Sequence, residues 1–130
     1  MKLLLDTHTL LWAITDNYRL GSSARDLILD ENNSIYVSAI SLWEISIKHK
    51  NKPELFPYTT KQIVDCCIRA GYIFLSLSVD SVTIHSSFDY GEHKDPFDQM
   101  LIAQSIANEM KLVTHDATLT KLAPQQVFYF

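Results

Sequence analysis

Glycine and proline are scarce in this chain, at 3 and 4 of 130 residues. So few breakers exclude long linkers and low-complexity segments, and no internal repeat is present. Cysteine is scarcer still, with only Cys66 and Cys67, adjacent inside a helical pattern. Neighbours on a helix are poorly placed to bridge each other, and no second C-x-x-C exists to complete a zinc site. They read as reduced, partly buried thiols in a reducing compartment. No apolar run reaches the roughly 18 residues of a membrane span. The run Leu3-Leu4-Leu5 ends at Asp6, too soon for a secretory signal. The expectation is a cytoplasmic protein with no membrane partner. Positive charge is lacking as well, with 11 basic against 15 acidic residues and a net charge of −4. That excludes wrapping nucleic acid with the whole surface; any such contact has to be local, through a patch or a metal ion.

What is present is ordinary for a globular protein, 47% apolar and 20% charged. The length suits one domain, residues 1–130, burying roughly two thirds of its unfolded surface. Short apolar runs at Leu3–Leu5, Ile35–Val37, Tyr72–Leu75, Leu112–Thr114 and Val127–Tyr129 read as strands. Helical patterns fill the gaps. The first runs Thr7–Thr15; the second is capped by Ser22 or Ser23 and continues through Leu27 and Ile28 to Asp30; the third follows Ser38 to about Lys50. A fourth is capped by Thr59 or Thr60 and stops at Gly71, and a fifth spans Val79–Ser86. The central stretch, His93–Met110, starts on Asp95 as cap and Pro96 at the first helical position. In it Ile102, Ala103, Ile106, Ala107 and Met110 form one apolar stripe, and four residues before Ile102 stands Asp98. A last short helix covers Asp116–Leu122. Strands alternating with helices predict an α/β fold, a mainly parallel sheet with right-handed crossovers and helices on both faces.

In such a sheet the carboxyl ends of the strands and the N-termini of the following helices share one edge, where ligands bind. Asp6 follows the first strand and Asp116 lies two residues after the fourth. Glu44 is near the start of the helix after the second strand, and Asp98 is in the first turn of the central helix, with Asp95 one turn before it. Each alone reads equally well as a helix-capping acid; Glu44 also fits a capping box with Ser41, although Ser38 is an equally good cap and would put Glu44 deeper into the helix. Together they would repel one another steeply once water is removed, unless some are protonated or a cation neutralises the group. All-oxygen ligands suit Mg²⁺ or Mn²⁺, and an ion of that kind can serve phosphodiester hydrolysis.

Four segments carry a resemblance: L-L-L-D-T-H at Leu3–His8, S-A-I-S-L-W-E-I at Ser38–Ile45, D-P-F-D-Q-M-L-I-A-Q at Asp95–Gln104 and L-V-T-H-D at Leu112–Asp116. In this order they resemble PIN-domain ribonucleases, particularly the VapC-type toxins of toxin–antitoxin pairs, from Met1 to about Leu122. The resemblance implies a three-layer α/β/α sandwich around a five-stranded sheet and Mg²⁺- or Mn²⁺-dependent cleavage of single-stranded or looped RNA. It places Asp6, Glu44, Asp98 and Asp116 on the family's acidic, metal-holding positions. Asp95 matches an extra acid of the subgroup, and Thr114 and Thr7 are supporting hydroxyls. His8 stands where the family often has serine or another small residue. A homodimer and a small antitoxin partner are implied too.

Lys48, His49, Lys50 and Lys52 either complement a helix C-terminus or meet RNA phosphates, and Lys94 beside Asp95 is the better-placed single cation. Trp12 and Trp43 read as core or dimer contacts. His115-Asp116 lacks the further histidines of a metal phosphohydrolase. Three rivals remain. A phosphoacceptor receiver would need an acid after the middle strand, where Ser76-Leu77-Ser78 stands, and a lysine after a late one. A haloacid-dehalogenase-like phosphatase would use Asp6 as nucleophile but lacks an acid at position 8. The third is a non-catalytic binding module.

Overall fold

Leu3, Leu4 and Leu5 have no exposed surface, and the molecule is built around them. The computed structural model describes residues 1–130. These leucines form strand β1 (Lys2–Leu5), which pairs in parallel with β2 (Ser34–Ser38) on one side and β4 (Lys111–Thr114) on the other. β3 (Ile73–Leu75) extends the sheet beyond β2, and β5 (Val127–Tyr129) beyond β4. The order β3-β2-β1-β4-β5 makes a five-stranded, all-parallel sheet whose strand order reverses between β1 and β4.

Alternate residues of β1 feed two cores, as the two-residue period of a strand demands. Leu3 and Leu5 point into one with Ile35, Val37 and Val113, covered by α1 (Thr7–Ile14), α2 (Gly21–Leu29) and α4 (Thr60–Ala70). Leu4 points into the other with Leu112, Leu101 and Ile102, covered by α6 (Pro96–Ala107) and α7 (Ala117–Leu122). Helix α3 (Ala39–Asn51) contributes to both, through Ile45 and Ile40, and α5 (Val79–Ser87) packs on α6. The architecture is the expected three-layer α/β/α sandwich. No helix is long and apolar enough to cross a membrane.

Local chemistry sets the helix ends. Ser38 caps α3 through the Ile40 N–H, and Thr59 and Gln62 form a capping box on α4. Gly71 ends α4 in the left-handed conformation, φ 78°, which a side chain would resist. Ser22 and Ser23 do not cap α2. A 3-10 turn at Tyr18–Leu20, capped by Asn17, runs straight into it, so both serines already lie in its first turn. The central helix also departs from its sequence pattern. Leu101 to Ser105 are all buried, so α6 is enclosed on every side there, and Met110 is reached only after the helix has ended. Buried Gln104 makes this possible by pairing with the Ser38 hydroxyl at 2.5 Å, which satisfies two polar groups inside the core. Trp43 is exposed and not core, resting edge-on against Phe97. Cys66 and Cys67 are free thiols, the second buried, and burial pushes the Cys67 thiol up to about 11.

Candidate functional site

Three strand ends deliver acids to the edge where the strand order reverses. Asp6 follows β1 directly and caps α1, its Oδ1 accepting the Thr9 N–H at 2.8 Å. Its Oδ2 accepts a hydrogen bond from the buried Thr114 hydroxyl at the end of β4. Glu44, on the second turn of α3, is 4% exposed. Its Oε1 accepts from the Thr7 hydroxyl at 2.6 Å and its Oε2 from the Lys48 ammonium. The Thr7 hydroxyl also meets Ser41 Oγ at 3.1 Å, so Ser41 faces the site and the capping of α3 falls to Ser38. Asp116 caps α7 through Thr118, and its own N–H reaches Thr114 Oγ1 at 3.0 Å. Thr114 therefore ties Asp6 to Asp116.

The fourth acid arrives from the opposite layer. Asp95 caps α6, accepting from the Phe97 and Asp98 N–H groups, and Asp98 lies one turn on. Asp98 Oδ2 stands 3.2 Å from His93 Nε2. These side chains share one cavity of about 220 Å³, lined by Asp6, Thr7, His8, Glu44, Lys48, Asp95, Asp98 and Asp116, with no apolar residue. Lys50 and Lys94 are exposed and lie outside this lining. Five carboxylates stand in this small space, and two of them, Asp98 and Asp6, are held above the ordinary range. Burial first, then Asp95 beside it, pushes the Asp98 carboxyl up to about 6, with smaller pushes from Asp6 and Glu44 and an opposing pull from His93. Burial raises Asp6 as well, against the hydrogen bonds from Thr114 and Thr9.

The donor set fits a hard divalent cation: oxygen only, carboxylates in excess, and charge that asks to be neutralised. No three of these side chains are already closed around a common point. Glu44 has the Lys48 ammonium as its counter-charge. Lys48 and His93 are the side chains at these acids that sequence spacing underweights. The Glu44–Lys48 interval of four residues on one helix carried the signal for the first; nothing local marked the second.

Replacing Thr114 by Val is expected to weaken Mg²⁺ affinity by about 10- to 100-fold, the usual cost of removing a group that orients a ligand. Thr114→Ser, which keeps the hydroxyl, should restore it; Mg²⁺ titrations followed by calorimetry would show the difference.

A family model described as the PIN domain matches residues 3–124. Compared by sequence with curated proteins, the chain finds no match. Among solved structures, VapBC2 from Rickettsia felis bound to a promoter DNA fragment superposes with a TM-score of 0.73 at 18% identity, covering 99% of this chain and 98% of that one. VapBC-1 from nontypeable Haemophilus influenzae gives 0.70 at 13% identity, with 99% and 98% covered. FitAcB from Neisseria gonorrhoeae gives 0.61 at 19%, with 97% and 96% covered. At such identities the likeness is one of fold.

Proposed function

This chain belongs to the PIN-domain family, a family of nucleases, and from that premise we propose that it is a divalent-metal-dependent endoribonuclease acting as the toxin of a toxin–antitoxin pair. The observation that carries the reading is the convergence of Asp6, Glu44, Asp98 and Asp116, with Asp95 beside them, on one small basin without apolar lining. By itself that basin repels a phosphodiester. Cleavage there requires cations, and the residues present would hold them.

Asp6, Glu44, Asp98 and Asp116 are the proposed ligands. A bound Mg²⁺ or Mn²⁺ would offset the charge of the scissile phosphate and activate water toward it. The chain's own part is to fix the ligands. The Thr114 hydroxyl and the Thr9 N–H hold both oxygens of Asp6, and Thr7 and Lys48 hold both oxygens of Glu44. His93 orients Asp98, and the Asp95 cap sets the first turn on which Asp98 stands. Lys48 is the one cation lining the basin and supports phosphate binding once Glu44 turns to a metal.

A phosphatase using Asp6 as nucleophile is disfavoured, because position 8 holds His8 and not the second acid that such an enzyme needs. For the partners, the fold likeness to toxin–antitoxin complexes supports an antitoxin. A homodimer is supported by the apolar side chains left exposed around β3, among them Ile73, Phe74, Leu77 and Val82.

The test is direct. Purified protein should cleave single-stranded RNA oligonucleotides in Mg²⁺ or Mn²⁺, stop on chelation and resume on adding the ion. Cleavage indifferent to chelator, or none with either ion, would end the proposal.

A further inference from the structure

Beside the acidic basin lies a larger cavity, about 570 Å³, where α1 and the turn after it face the loop joining α3 to α4. Trp12, Phe56 and Tyr58 give it aromatic walls, and Asn17 and Arg19 close its polar end. We propose that this cavity is the subsite for an unpaired nucleobase of the RNA, next to the phosphodiester held in the basin; the inference rests on the nuclease reading above.

Continuity is the first argument. His8 borders the acidic basin, this cavity, and the shallower cleft shared by Asp6, Asp116 and His115. The exposed His8 ring is tilted toward Trp12, centroids 6.1 Å apart, and toward Phe56 at 6.2 Å. Lys48, whose ammonium holds Glu44 in the basin, lies 5.4 Å from the Phe56 ring centroid. A strand whose phosphate occupies the basin thus has a neighbouring aromatic pocket directly alongside.

Chemistry is the second argument. Unpaired bases are bound by stacking on aromatic faces, with cations taking the flanking phosphates. The lining of the cavity holds three such aromatics and one arginine, and no carboxylate. Its volume lies within the range of small-molecule pockets, about 300–1,000 Å³. A peptide occupant would use the apolar wall equally, and the quenching experiment below separates it from RNA. This gives His8 a role as the ring on the threshold between phosphate and base.

Tyr58 is 42% exposed, so Tyr58→Ala should fold. Phe56→Leu keeps the backbone carbonyl that meets His49 Nδ1 at 2.6 Å. The experiment measures cleavage of a short single-stranded RNA and of the same strand made abasic next to the scissile bond. Each variant should raise KM on the normal strand by about 10- to 100-fold, the usual value of one stacked base, with kcat little changed. On the abasic strand, wild type and variants should coincide. Trp12 should also be quenched by the normal strand in a Trp43→Phe background, which leaves it the sole tryptophan. Unchanged KM in both variants overturns the subsite while leaving the nuclease standing. Quenching of Trp12 by a leucine-rich peptide and not by RNA would do the same, giving the cavity to a protein. Failure of wild type to cleave either strand in Mg²⁺ or Mn²⁺ removes the nuclease reading itself.

Discussion

Asp98→Asn is expected to fold normally and to cleave RNA about a hundredfold more slowly than wild type, or worse. The side chain is 23% exposed, and its single hydrogen-bond partner is His93 Nε2. Asparagine has the same shape, so packing along α6 is preserved. What disappears is one of the charges that the basin concentrates. Groups that merely orient a metal ligand are worth about 10- to 100-fold, so the ligand itself stands at or above the upper figure. Circular dichroism would report the fold, and initial rates on a single-stranded RNA with saturating Mg²⁺ the activity. Wild-type rates in this variant would remove Asp98 from the machinery, and with it the argument that a shared basin defines the site.

The second large effect is on stability. Folding lifts the Asp98 carboxyl from its ordinary 3.8 to about 6, chiefly by burial and by Asp95 beside it. Between those values the folded protein binds more protons than the unfolded chain, so stability falls as pH rises through the window and is level above it. Asp6 is lifted too and acts in the same direction. The contribution of Asp98 alone is at most about 3 kcal/mol, at roughly 1.4 kcal/mol per pH unit, less what solvent screens. In chelator, the urea midpoint of wild type relative to Asp98→Asn should therefore drop from pH 4 to pH 6, the variant gaining the advantage at neutrality. Mg²⁺ should reverse that order, and should stabilise wild type more at pH 7 than at pH 5, because its ligands must be deprotonated. A chelated wild type that gains on the variant as pH rises from 4 to 6 would contradict the crowding of acids on which the site depends.

Much of the scaffold was legible from residue order, for identifiable reasons. Each strand is a short apolar run bounded by a residue that cannot continue it, Asp6 after Leu5 being the clearest. The caps at Ser38, Thr59, Asp95 and Asp116 are local chemistry, and local chemistry survives folding. What escaped was set by distant partners. The burial of α6 on all sides depends on a Ser38–Gln104 pair separated by 66 residues, which no helical period encodes. α2 took its start from the turn before it and not from its own serines. In the site, Asp6, Glu44 and Asp116 were legible because they follow strand ends, and Asp98 because it stands in the first turn of a clearly capped helix. Lys48 was read as a cation near a helix end, yet its ammonium folds back one turn to Glu44. Tyr72–Leu75 gave the correct strand, but Ile73 and Phe74 are exposed because β3 lies at the edge of the sheet.

Strand β1 stands at the middle of the sheet although it is the first to be synthesised. On a ribosome its leucines emerge early and must wait for both neighbours. β2 follows soon, but β4 and the Thr114 hydroxyl that grips Asp6 come 108 residues later. Until then the basin has one wall missing, and Asp116 has not been made. A nascent chain therefore lacks the complete basin until β4 and Asp116 have both emerged. The order of the strands delays completion of the basin until translation of the domain is nearly over.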